Sequence, residues 1–89
     1  MAGKVVVHDS GAVRAFAGQL RGAARDLEST ASSLSGAAQA VRGSWQDPQQ
    51  ERVEQEIDGI RQALARFREQ AEQTARYCDG IAAQVEALR

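Results

Sequence analysis

The sequence predicts an all-α fold: an antiparallel helix-turn-helix hairpin that pairs with a second hairpin to form a four-helix bundle. Two long segments with repeating apolar stripes flank a short stretch that ends at the only proline, Pro48. The chain has 89 residues, 4% aromatic residues and one cysteine. A chain of this size is near the lower limit for burying a self-sufficient core, and no disulfide can reinforce it. We therefore expect one domain, residues 1–89, stabilised by association with another chain.

The first segment, about residues 9–42, predicts a helix with a wide apolar face. Asp9 or Ser10 is a suitable N-cap, and Gly43 is a suitable stop. Apolar residues recur every seven positions, and others follow them by three and four, so the helix should contact two neighbours. The larger members are Val13, Phe16, Leu20, Leu27, Leu34 and Val41, and the row beside them is Ala17, Ala24, Ala31 and Ala38.

The second segment, about residues 48–89, steps between apolar residues by alternating fours and threes. This repeat predicts a helix with left-handed, knobs-into-holes packing. Asp47 supplies an N-cap, Pro48 the first helical position and Gln50 the third residue after the cap. Gly80 could end the helix, but the repeat continues beyond it, so we predict one helix. The members of this repeat are Val53, Ile57, Ile60, Leu64, Phe67, Ala71, Thr74, Cys78, Ile81, Val85 and Leu88.

The connection, residues 43–47, is short enough to require antiparallel helices. At ~1.5 Å per residue, the two rods should measure roughly 50 and 60 Å. Two rods touch along one line only, so we expect the alanine row of the first helix and the Ala75 and Ala82 side of the second to stay exposed in a lone hairpin. A second hairpin would cover them. The predicted hairpin and dimer contacts, here called the seam, are Val13, Phe16, Leu20, Leu27, Leu34, Val41, Val53, Ile57, Ile60, Leu64, Phe67, Cys78, Ile81, Val85 and Leu88.

Composition and motifs exclude several functions. The net charge of −1 gives no general attraction to nucleic acid or to an anionic membrane. No run of eighteen apolar residues predicts a membrane span, and the N-terminus does not resemble a signal peptide. Synthesis in the cytoplasm is expected, with any export by a route other than the general secretory pathway. Cys78 lies in the seam without a nearby histidine, and no phosphate loop, zinc spacing or triad is present. We expect no enzyme, catalytic residue, metal or cofactor.

Charged residues follow the outer sides of both helices. The acids Glu51, Asp58, Glu72, Asp79 and Glu86 recur along the second helix, and Arg14, Arg21 and Arg25 cluster on the first. We expect these side chains to point away from the core into water, as is usual for a soluble helix.

A tryptophan, Trp45, lies in the short connection Gly43-Ser44-Trp45-Gln46-Asp47 between two helices of similar length. This arrangement resembles the WXG100 family, the small helical-hairpin proteins associated with type VII secretion. Asp47 stands where the family motif has glycine, so the chain looks like a Trp-x-Asp variant. The resemblance implies a homodimeric or heterodimeric four-helix bundle, exported as a folded pair or serving a larger effector or a secretion ATPase. Family substrates often carry the export signal Tyr-x-x-x-Asp/Glu. Here the fourth residue after Tyr77 is Ile81 rather than an acid, so a partner chain could supply that signal.

Two functions from different classes follow. The first is a non-enzymatic interaction module, acting as a dimeric secreted partner or targeting adaptor of a type VII-like system. The second is a structural coiled-coil or chaperone-like subunit with no export role. Trp45 fits either a recognition residue or a residue that closes the hairpin by packing over Val41 and Val53.

Overall fold

A computed structural model describes residues 6–88 as two long antiparallel helices. Helix α1 runs from Ser10–Arg42 and helix α2 from Pro48–Ala87. Residues 43–47 form the connection, and the molecule measures 63 × 25 × 13 Å. The long dimension agrees with the predicted length of the rods, and the predicted helical hairpin is confirmed. Helix α2 passes through Gly80 without a break, as its repeat predicts.

Local capping explains where each helix begins. The Asp9 carboxylate accepts a hydrogen bond from the backbone N–H of Ala12 at 3.2 Å, so Asp9 rather than Ser10 is the N-cap of α1. Asp47 caps α2 by accepting from the backbone N–H groups of Gln49 and Gln50 at 2.8 and 3.1 Å. These bonds satisfy N–H groups that have no partner within the helix.

Helix α1 ends at Gly43, as predicted, but without the left-handed conformation that glycine often supplies there. Gly43 has φ −70° and ψ −22°, so the chain leaves the helix in right-handed geometry. The carbonyl of Val41 then accepts from the backbone N–H groups of Ser44 and Trp45 at 3.0 and 2.9 Å. This compact turn directs Trp45 back toward the helices.

The expectation that the alanine rows stay exposed is wrong. The buried apolar residues of the hairpin are Ala17, Ala24, Ala71, Ala75 and Ala82. Alanine side chains allow two helix backbones to approach closely, whereas a row of leucines holds them apart. The helices therefore meet along their alanines, and the larger seam residues lie beside this line of contact.

Ion pairs join the helices along one side of that line. Arg14 Nη2 lies 2.7 Å from Glu86 Oε1, and Arg21 lies 3.0 Å from Glu72 and 2.9 Å from Asp79. The expectation that charged side chains point only into water is therefore wrong for Arg14, Arg21, Glu72, Asp79 and Glu86. Their side chains reach across to the other helix because the alanine contact brings the backbones close.

Further toward the connection, Glu28 pairs with Arg68 at 3.0 Å and Arg42 pairs with Glu54. The cross-helix pairs define the register of the hairpin, with Ala17 nearly level with Ala82 and Ala24 nearly level with Ala75. The same pairs mark one long side of the molecule, here called the ion-pair face.

Candidate functional site: an open apolar face and a groove at the loop

The side of the hairpin opposite the ion-pair face carries the larger apolar residues. Around α1, each alanine of the row lies between a seam residue, such as Val13, and an arginine, such as Arg14. Helix α2 has the same order, since Ala71 and Ala75 lie between the seam and Glu72. The seam residues of both helices therefore share one side. We call the surface formed by the fifteen seam residues the open face.

None of the seam residues is fully buried in the single hairpin. Phe16 is 51% exposed, Phe67 42% and Leu88 88%. Val41, Val53 and Ile60 are exposed to a similar degree as Phe67, and the other seam residues are half-buried. The single hairpin thus leaves every seam residue at least partly exposed.

The open face is long, apolar and uncharged. Cys78 is half-buried within it as a free thiol, and Thr74 is a half-buried hydroxyl beside it. Tyr77, on its margin, is exposed. An exposed, contiguous apolar surface of this kind marks a site of interaction with another molecule. The geometry therefore favours binding over catalysis.

A groove, here called the loop groove, lies between the helices next to the connection. It has a volume of about 190 Å³. Its apolar lining comes from both helices and from the connection: Leu34, Ala37, Val41, Trp45, Val53 and Ile57. Trp45 is half-buried there beside Val41 and Val53, where its indole closes this end of the hairpin.

Asp47 links the connection to the start of α2. A hydrogen bond from the Trp45 side chain is the largest cause that lowers the pKa of the Asp47 carboxyl, and the backbone N–H groups of Gln50 and Gln49 lower it further. Aspartate at this position supplies a side-chain oxygen that glycine lacks: it caps α2, and its carboxyl is near enough to the Trp45 indole for the indole to lower its pKa. The Trp-x-Asp variation has a structural reason.

Two polar residues complete the loop groove. Gln50 is only 6% exposed, and its Nε2 atom has no hydrogen-bond partner within residues 6–88. Glu54 is paired with Arg42, and this pairing is the largest cause that lowers the pKa of the Glu54 carboxyl. The neighbouring Gln50 side chain also lowers that pKa, although its Nε2 does not reach hydrogen-bond geometry.

Sequence reasoning missed the burial of Gln50 and the cross-helix ion pairs. The spacing of Gln50 after Asp47 indicated a cap residue, and its proximity to the groove depends on how the connection turns. The seven-residue spacing between Arg14 and Arg21 matches that among Glu72, Asp79 and Glu86. That shared spacing was the signal for the pairs, once the antiparallel register is known.

Two further observations concern the described part of the chain. No group of three or more His, Cys, Asp or Glu side chains there is placed to hold a metal ion. Neither described helix combines the length and the apolar character needed to cross a membrane.

The fold and the open face define a class of protein: a small all-helical hairpin whose single copy leaves its large apolar residues uncovered. The family model described as a WXG100 like domain matches residues 8–89. The chain therefore belongs to the WXG100 family, the small helical proteins of type VII secretion, and the resemblance carried by Trp45 and the two helices is confirmed. Searches of curated proteins and of solved structures found no significant match.

Proposed function

We propose that this protein is a pairing module of a type VII-like secretion system. Two hairpins lie with their open faces together in a four-helix bundle, and the pair acts as a secreted partner or as a targeting adaptor for a larger effector. The observation that carries the proposal is the exposure of the large seam residues, while the apolar residues buried in the described part of the chain are all alanines. Membership of the WXG100 family supports the secretion role.

The surface area of the single hairpin supports pairing. A compact protein of 9.6 kDa exposes about 5,100 Å², whereas this hairpin exposes 6704 Å². Its radius of gyration is 19.5 Å, compared with about 12 Å expected for a compact domain of this length. A stable protein interface buries about 800 Å² on each partner. The excess surface of the hairpin is large enough to supply such an interface.

A second copy of the same chain fits the open face. The seam residues carry no charged side chain at neutral pH, so two open faces meet without placing like charges together. The ion-pair faces then point outward into water. Self-pairing converts the uncovered surface into an apolar core between four helices. A single two-helix hairpin has no such core.

Sedimentation equilibrium of the purified chain, with circular dichroism, tests the pairing. We expect a helical dimer at micromolar concentration. Phe67→Asp and Leu64→Asp should abolish it and remove much of the helicity, because each places an uncompensated charge in the bundle core. Gln73→Asp, which changes an exposed residue of α2 outside the open face, is the matched control and should remain a dimer. A wild-type chain that sediments as a stable, folded monomer contradicts the proposal.

The secretion role is tested separately through Trp45. Trp45→Ala should leave the dimer in place, because the seam residues make most of the interface, but should weaken recognition by the secretion machinery. The measurement is the amount of the protein in the culture supernatant of a host with a type VII system, compared with the amount in its cells. A dimer that is neither exported nor needed for export of another protein supports the structural coiled-coil role instead.

A further inference from the structure

The loop groove contains a polar group that the single hairpin leaves unsatisfied. Gln50 is nine-tenths buried, and its Nε2 has no hydrogen-bond partner in the described residues. Buried amide groups in folded proteins almost always have partners, since an unpaired one has lost its hydration without compensation. The side chain is also too polar to be explained by packing alone. Within the described residues, no oxygen of the single hairpin, including those of the neighbouring Glu54, lies in hydrogen-bond geometry with Gln50 Nε2.

The loop groove is continuous with the open face. Leu34, Val41, Val53 and Ile57 belong to both surfaces. A hairpin that covers the open face therefore covers the groove as well, and it brings its own polar atoms to Gln50. The occupant of the groove and the partner on the open face are then the same molecule, a second copy of this chain.

The neighbouring charge selects the kind of acceptor. Glu54 lines the groove and Asp47 lies beside Trp45, so a carboxylate from the partner would meet two carboxylates of the same sign. A neutral oxygen avoids this repulsion. In a second copy, neutral side-chain oxygens are available at Thr74 beside the open face, at the exposed Thr30 of α1 and at Gln50 in the loop groove. The Thr30 hydroxyl donates to the carbonyl of Asp26 at 3.0 Å and keeps lone pairs to accept.

We propose that Gln50 is a specificity-determining residue of the pairing surface. In a pair of two copies, apolar side chains of one copy fill the loop groove of the other, and Gln50 Nε2 donates a hydrogen bond to a neutral oxygen of the partner copy. This inference depends on the proposed pairing. It adds that partners without such an oxygen at this position are rejected, because they leave the buried amide unpaired.

The test compares the dissociation constants of the wild-type dimer and of Gln50→Met, measured by sedimentation equilibrium. Methionine has a similar size and no amide, so the groove stays filled. We expect the dissociation constant to rise about tenfold, which corresponds to about 1.4 kcal/mol. Gln49→Met alters the adjacent exposed residue and should leave the dissociation constant unchanged.

A direct readout follows the side-chain amide protons of Gln50 by NMR as the protein is diluted. We expect slow exchange with solvent in the dimer and fast exchange in the dissociated chain. If the amide protons are equally protected at all concentrations, they form a hydrogen bond within the hairpin, toward Glu54. That result would overturn the inference. If the wild type and Gln50→Met form dimers with the same dissociation constant, Gln50 does not determine specificity, although the pairing proposal stands. A wild-type chain that does not pair defeats both.

Discussion

The half of the hairpin near the chain termini and the half near the connection are built differently. In the terminal half, about residues 10–27 of α1 and 68–87 of α2, the helices meet through buried alanines. In the loop half, about residues 28–67, the only buried residue is Gln50. The alanine row continues there as Ala31 and Ala38, yet both are half-exposed. The same row of α1 is therefore buried in one half and not in the other.

The residues opposite the row account for the difference. In the terminal half, alanine meets alanine, since Ala75 and Ala82 face Ala24 and Ala17. In the loop half, seven-residue steps along α2 from the buried Ala71 lead to Leu64 and Ile57, whose side chains are larger than alanine. A groove of about 410 Å³ lies beside Ala31 and Leu64, and the loop groove lies between it and the connection. We infer that alanines are buried here where small residues lie on both helices, and that larger residues on α2 leave Ala31 and Ala38 half-exposed.

The largest expected effect comes from enlarging one alanine in each half. Ala17→Leu inserts three carbons where the wild-type side chain is fully buried, so the backbones must separate and the Arg14 and Arg21 ion pairs must stretch. Overpacking of this kind costs about 1–3 kcal/mol. Ala31→Leu, at the same position two seven-residue repeats later, has the groove of about 410 Å³ beside it and should cost less than about 1 kcal/mol. Urea unfolding followed by circular dichroism at one fixed protein concentration measures both.

The two variants control for each other, because the substitution, the helix and the position in the repeat are the same. If Ala17→Leu and Ala31→Leu lower the free energy of unfolding equally, the two halves of the hairpin are packed alike. An Ala31→Leu variant that is more stable than the wild type would show that the added side chain fills part of the groove beside Ala31.

This difference between the halves also marks the limit of prediction from the sequence. The spacing of Val13, Leu20 and Leu27 was enough to predict α1, and the caps at Asp9 and Asp47 were visible as residue types. Which stripe faces the other helix was not predictable from hydrophobicity, because leucine is more apolar than alanine and suggested the wrong contact line. The close approach depends on alanines from both helices meeting in register, and the register depends on the turn made by residues 43–47.

For the candidate site, the grouping of the seam residues on one pairing surface stays a prediction, and Trp45 was identified from its place in the connection. The unsatisfied amide of Gln50 could not be predicted in this way. Its burial is a property of the three-dimensional turn, since glutamine at the third position of a helix is usually exposed. The cross-helix pairing of Arg21 with Glu72 and Asp79 likewise requires the antiparallel register, which the spacing along either helix alone does not contain.

A smaller effect is expected from acid, and it should arise in both halves. The hydrogen bond from Arg21 is the largest cause that lowers the pKa of Glu72 below its ordinary value of 4.5. The unfolded chain therefore takes up a proton on Glu72 at a higher pH than the folded chain does. The stability from this pair is present above pH 4.5 and is lost as the pH falls through the lower pKa of the folded state. The thermal unfolding midpoint should fall between pH 6 and about pH 3.

Glu72→Gln should lower the unfolding midpoint at pH 7 and flatten the part of the profile that depends on this pair. Glu69→Gln, an exposed acid three positions earlier, is the control and should leave the profile as it is. In the loop half, Glu54 should behave like Glu72 through its partner Arg42, because that pairing is the largest cause that lowers its pKa. If Glu72→Gln and the wild type show the same pH profile, the ion-pair face does not contribute to stability in solution.

The smallest effect separates the packing of Trp45 from its hydrogen bond. Trp45→Phe keeps an aromatic ring beside Val41 and Val53 but removes the indole N–H, which is the largest cause of the lowered pKa of Asp47. The pKa of Asp47 should therefore rise toward its ordinary value of 3.8, while the backbone N–H groups of Gln49 and Gln50 keep it below that value. An NMR titration of the Asp47 carboxyl measures the change directly.

Trp45→Ala should raise the pKa of Asp47 to a similar extent and also loosen the loop groove, which a fall in the unfolding midpoint would report. If Trp45→Phe leaves the pKa unchanged, the indole does not hold Asp47, and capping alone remains as the reason for aspartate at this position. If the two variants destabilise equally, the hydrogen bond matters more than the contact with the valines, and the loop half is closed by a polar link where the terminal half is closed by alanines.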